Sequence, residues 1–140
     1  MGMRTKAREC AFQMLYQWDM TREAMDRVTG LFWQVRTATP EARAMAERLA
    51  RGGQAELAAL DAAITAASTN WRFERIAAVD RNILRIATYE LMREPQTPSS
   101  VIIDEAVEMA KRFGEADSPP FVNGVLDAIM RKVRDPGGAR

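Results

Sequence analysis

An all-α fold is predicted by three features of this chain. Its composition leans to Ala, Leu, Met, Glu and Arg, apolar residues recur at three- and four-residue spacing, and Ser/Thr-Pro helix starts punctuate it. With 140 residues, 47% of them hydrophobic, the chain can bury a core yet stays within the size of one folding unit, so residues 1–140 are expected to form a single domain.

The first helix is expected from about residue 4 to 19, because Ala7, Ala11, Met14, Leu15 and Trp18 form one stripe with Cys10 beside it. A second should span about 24 to 36, with Gly30 weakening its middle. Thr39-Pro40-Glu41 combines a capping hydroxyl, a proline suited to the first helical position and an acid that complements the macrodipole. The helix it starts can run to about Ala67 through Met45, Leu49, Leu57, Leu60 and Ile64, with Gly52-Gly53 as the place for a bend. Asn70 is placed to cap a short helix from Trp71 to about Ala77, and Asp80 to cap the next, whose buried face holds Ile83, Leu84, Ala87 and Leu91.

Pro95 ends that helix and Thr97-Pro98 starts another, carrying Ile102, Ala106, Met109, Ala110 and Phe113 up to a stop at Gly114. Ser118-Pro119 then opens the last, striped by Val122, Val125, Leu126, Ile129 and Val133 before a polar Pro-Gly-Gly tail. Seven helices are expected in all, with no internal repeat. Asn123-Gly124 reads as structural, the glycine for close helix packing and the asparagine bonding to backbone.

Charge and chemistry narrow the function. Twenty basic and 19 acidic residues leave a formal net charge of +1, so a basic site must be local. No apolar run approaches the roughly 20 residues of a membrane span, the start Met1-Gly2-Met3-Arg4-Thr5-Lys6 lacks a secretory core, and a cytoplasmic location is expected. Without histidine, and with Cys10 on an apolar face, neither a nucleophile-base pair nor a zinc site can be assembled. No catalytic residue, metal or cofactor is expected. Asp104, Glu105 and Glu108 beside Lys111 and Arg112 read as a solvated face with local ion pairs. Gly52-Gly53 has neither the lysine nor the preceding strand of a phosphate loop.

Two constellations remain. Arg4, Lys6 and Arg8 make the one short basic excess, either a solvated helix start or a weak phosphate-binding segment. Phe113-Gly114 and Pro120-Phe121 bracket the polar loop Glu115-Ala116-Asp117-Ser118, where Phe121 either stacks on an unpaired base or staples the helix start.

Four ordered blocks carry a family resemblance: Arg8-Glu9-Cys10-Ala11 with Leu15-Tyr16; Val79 to Ala87 (VDRNILRIA) with Tyr89-Glu90-Leu91; Ile103 to Glu108 (IDEAVE) with Ala110-Lys111; and Phe121 to Asp127 (FVNGVLD). In these the chain resembles the NusB family of bacterial transcription antitermination factors. Between about Met20 and Ser68 the likeness supports helix count alone.

The resemblance implies two small packed helical bundles, no catalysis and a cytoplasmic role. As partners it implies single-stranded boxA RNA of nascent ribosomal RNA leaders, the ribosomal small-subunit protein NusE, and the RNA polymerase antitermination complex. Carried over by position, the RNA surface would comprise Arg4, Lys6, Arg8, Arg85, Phe113, Asp117, Ser118 and Phe121, with Thr5 where many relatives carry another base. Tyr16 and Asp80 match positions facing the protein partner, although core packing for Tyr16 and helix capping for Asp80 explain them equally.

Two other classes are weighed. The same fold forms the amino-terminal domain of certain RNA cytosine methyltransferases, but these need a following cofactor-binding domain and the chain ends at Arg140. A structural protein or homodimer is the other, with Leu31, Phe32 and Trp33 available for a self-interface.

Overall fold

The structure, a computed structural model, describes residues 2–134, so the Pro-Gly-Gly tail lies outside the described residues. Among those it holds seven α-helices, one 3-10 turn and no strand. The helices are α1 (Met3–Thr21), α2 (Met25–Val35), α3 (Pro40–Ala55), α4 (Leu57–Ala67), α5 (Ala78–Arg93), α6 (Ser99–Phe113) and α7 (Ser118–Val133), with the 3-10 turn at Phe73–Arg75.

The first bundle is α1 to α3 and the second α4 to α7; α5 joins them, packing on α1 and α3 as well as on α4, α6 and α7. One continuous apolar core runs through both. The stripe read on α1 (Ala7, Cys10, Ala11, Met14, Leu15) is completely buried. The stripes of α5, α6 and α7 also point inward, apart from half-buried Phe113 and exposed Val133.

The count of seven is met by a different division of the chain. Residues 40 to 67 form two helices that part at Glu56, three residues beyond the expected bend. The glycines serve close approach instead: a Cβ on Gly52 would collide with the Tyr89 ring, and one on Gly53 would sit 3.4 Å from Leu15 Cδ2. At the break itself Arg93 of α5 grips Glu56, its Nε donating to the two carboxylate oxygens at 2.7 and 2.9 Å. The helix expected over 71–77 is reduced to the Phe73–Arg75 turn, because Trp71 lies outside the core and leaves no apolar stripe to anchor it.

The caps divide in the same way. Thr39 behaves as read, its Oγ1 accepting from the Ala42 amide at 3.2 Å. Asp80 and Ser118 do not: α5 begins from Ala77, which puts Asp80 within its first turn, and α7 begins from Asp117 with no side-chain cap. Asn70 caps no helix.

Arg134, from the end of α7, closes the far end of α5. Its guanidinium donates to the carbonyls of Leu91 (2.8 Å), Thr97 (2.5 Å), Glu90 (3.0 Å) and Glu94 (2.8 Å), and to Ser99 Oγ (3.2 Å). Three of those carbonyls belong to the last turn or cap of α5, where an α-helix runs short of donors; those of Glu90 and Glu94 also accept from the Glu94 and Thr97 amides. Burial away from any contacting carboxylate holds the Arg134 pKa below its ordinary value.

Candidate nucleic-acid interface

The sequence blocks converge on a surface running from the start of α1, past Tyr16 and the end of α6, to the start of α7. At its amino-terminal end the basic segment divides. Arg4 is exposed and Lys6 half-exposed, each without an ion-pair partner among the described residues, while Thr5 Oγ1 donates to Glu105 Oε1. Arg8 turns inward and is 2% exposed. Its Nε and Nη2 bind Glu90 at 2.8 and 3.0 Å, and its Nη1 reaches Glu105 at 3.3 Å.

This corrects two assignments. Arg8 is not free for phosphate, because leaving Glu90 would strand a carboxylate whose side chain is 1% exposed. Arg85 is likewise 2% exposed, held by Asp61 at 2.7 and 2.8 Å and by Asn82 Oδ1 at 3.1 Å. The sequence held a signal for Arg8 and its partner: Arg8 lies four and seven residues before Phe12 and Leu15, and Glu90 four and seven after Ile86 and Ile83, so each falls on an apolar stripe. Glu105, read as part of a solvated face, is half-buried through the same network.

A second buried knot centres on Asp19 at the end of α1. Its Oδ2 accepts from Arg81 at 2.7 and 3.0 Å and from Asn82 Nδ2 at 3.0 Å, and lies 3.1 Å from Arg85. Burial alone would raise its pKa, but these hydrogen bonds and the two positive charges outweigh burial and hold it below the usual carboxylate range.

At the other end aromatic rings come to the surface. Phe113 is half-buried against Phe12 (centroids 5.4 Å apart), and Phe12 meets half-buried Tyr16 at 6.3 Å. Arg112 lies over the Phe113 ring at 5.2 Å and pairs with Glu9 at 2.9 Å. Phe121 is half-buried and meets Trp71 edge-on, with centroids 6.2 Å apart and an interplanar angle of 77°.

In the loop between Phe113 and Phe121, Asp117 is exposed whereas Ser118 is buried, its Oγ accepting from the Glu115 amide at 2.9 Å. Ser118 therefore shapes the loop and has little surface to offer a ligand. Asp80 is 8% exposed, and its Oδ1 has no hydrogen-bond partner. Burial, together with the nearby Asp117 and Glu115 charges, raises its pKa against a hydrogen bond from Ser118. An oxygen buried this deeply acts neither as a helix cap nor as a direct contact for another molecule, which corrects the partner-facing assignment of Asp80.

Sequence reasoning missed Trp71 and misread Gly124. Trp71 is 55% exposed, and a Cβ on Gly124 would meet nothing within 4 Å. Gly124 is therefore not a packing glycine. Among the described residues no group of His, Cys, Asp and Glu is arranged to hold a metal, and no helix is long and apolar enough to cross a membrane.

The profile of the NusB family matches residues 5–131. The chain belongs to the NusB family. It is 50% identical over 133 residues to the transcription antitermination protein NusB of Sorangium cellulosum, covering 95% of each chain. It is 42% identical to that of Geobacter sulfurreducens, covering 98% of this chain and 100% of the other. Among solved structures it resembles T. maritima NusB with a TM-score of 0.85, 35% identity and coverage of 96% and 95%. A crystal structure of the antitermination factors NusB and NusE in complex with dsRNA matches with a TM-score of 0.86 at 26% identity, covering 94% and 98%. Family membership thus embraces both bundles, including the stretch from Met20 to Ser68 where the motifs are weakest.

Proposed function

We propose that this chain is a non-enzymatic transcription antitermination factor that binds boxA RNA together with a NusE-type ribosomal protein, within the RNA polymerase antitermination complex in the cytoplasm. Both bundles act as one unit, residues 1–140. The observation that carries the reading is the outward-facing aromatic edge of Phe121 and Trp71 on a chain whose family includes a factor solved with NusE and RNA. That solved RNA is double-stranded; a single-stranded target is proposed here because exposed rings stack on unpaired bases and have no access to paired ones.

Arg4 and Lys6 supply phosphate contacts, Phe113 and Phe121 the stacking surface, and Asp117 its edge. Tyr16 faces the protein partner, to which buried Asp80 offers no direct contact. The test is a binding titration with boxA-containing and scrambled oligoribonucleotides, with and without NusE. Preference for boxA that strengthens with NusE is expected; equal, weak binding of both RNAs would leave a structural protein or homodimer as the better reading.

A further inference from the structure

The turn before α5 and the first two turns of α7 border a shallow, open notch, about 210 Å³, lined by Ser68, Thr69, Asn70, Trp71, Phe121 and Gly124 among others. Three of its residues are of types the fold does not require. Trp71 is the one exposed aromatic side chain among the described residues. Asn70 caps nothing, and its amide has no hydrogen-bond partner among the described residues. Gly124 sits inside α7, where alanine would favour the helix, yet the space its Cβ would fill is empty. The contrast with Gly52 and Gly114 is direct, since a Cβ there would collide with Tyr89 or Ser118.

We propose that this notch takes one unpaired base of the bound RNA, stacked on Trp71 beside Phe121, passing over the bare backbone at Gly124 and offering its polar edge to Asn70. The proposal rests on the RNA-binding reading above. An edge-to-face ring pair forms a corner, and with 55% of its surface open Trp71 keeps ring area free for stacking. A planar heterocycle fits a corner of this size, and an asparagine amide has both a donor and an acceptor for its edge. Arg72 and Arg75, exposed and without ion-pair partners among the described residues, flank exposed Glu74 on the same turn and leave it net positive for the adjoining phosphates.

Gly124→Ala separates this role from a structural one, because the two predict opposite signs. The probe is a fluorescein-labelled single-stranded RNA carrying boxA, together with copies bearing one abasic site at each position in turn. Trp71→Ala is expected to weaken binding about ten-fold, the scale of one base-aromatic stack. Gly124→Ala is expected to raise the melting temperature and yet weaken binding. One abasic position should cost the parent chain a similar factor and cost Trp71→Ala almost nothing, because the stack is already gone. If both variants bind every RNA as the parent does while the parent still prefers boxA to a scrambled sequence, the notch is refuted and the RNA reading stands. If the parent shows no such preference, the RNA reading fails and the notch with it. A Trp71→Ala protein that loses NusE but keeps RNA affinity would overturn the proposal in favour of a protein contact.

Discussion

At the start of α1, Arg8 is drawn inside by Glu90 and Glu105, whereas on the turn before α5 Trp71 is exposed beside a glycine whose Cβ position is open. The difference shows which surface features the fold accounts for. A buried guanidinium needs carboxylates around it, and once it has them its charge no longer describes the surface. An exposed ring, an asparagine that caps nothing and an open glycine satisfy no such demand, and the proposed RNA base is what would use them.

The strongest challenge to that contrast is Arg8→Ala. It should destabilise the fold by about 3–5 kcal/mol, because Glu90 is left as an unpaired buried charge. Urea titration followed by circular dichroism reads this directly; a loss below about 1 kcal/mol, joined to weaker RNA binding, would return Arg8 to the RNA site.

Acid should expose the same interior chemistry. The Asp19 carboxyl is held below its ordinary range, so its contribution is complete above that range and is lost as pH falls through the lowered value. Asp80 runs the other way: with its pKa raised, its contribution is present below the ordinary aspartate value and lost as pH rises through the raised one. Stability measured against pH should accordingly flatten on the acid side in Asp19→Asn and on the upper side in Asp80→Asn. Unaltered slopes would mean that neither carboxyl is perturbed.

Replacing Arg4 and Lys6 together by alanine should leave the melting temperature unchanged and reduce the salt dependence of RNA binding. With two phosphates released, the log–log slope should fall by about 1.4. An unchanged slope would remove the amino-terminal segment from the interface altogether.

The smallest effect expected is at Asp117, an exposed carboxylate on the loop between Phe113 and Phe121. Asp117→Asn should raise RNA affinity a few-fold at low salt and hardly at all at high salt, where screening removes the repulsion. Lower affinity instead would identify Asp117 as a hydrogen-bond acceptor for a base, and identical binding at both salts would take the loop out of the site.

The long stripes of α1, α5, α6 and α7 were legible in the sequence because a three- to four-residue period is a local signal. What depended on distant partners was not. Arg8 and Glu90 lie 82 residues apart, and neither looks paired until α1 packs on α5. Arg93 meets Glu56 at the break only in the packed structure, and the false helix over 71–77 reflects Trp71, whose ring the core leaves outside. The motif FVNGVLD was legible as a block but not as a surface, since only the packed structure shows that Gly124 faces open space.

The Arg134 clasp has a consequence for how the chain is made. During synthesis α1 and α5 emerge before α7, so the guanidinium shared by the Glu90, Leu91 and Glu94 carbonyls arrives some forty residues later, although Glu90 and Glu94 already accept from the Glu94 and Thr97 amides. Because α5 packs against both bundles, the helix that organises the molecule is the one whose last turn is completed late. A chain lacking the Arg134 side chain would keep those two backbone bonds and lose the tie between the end of α5 and the end of α7.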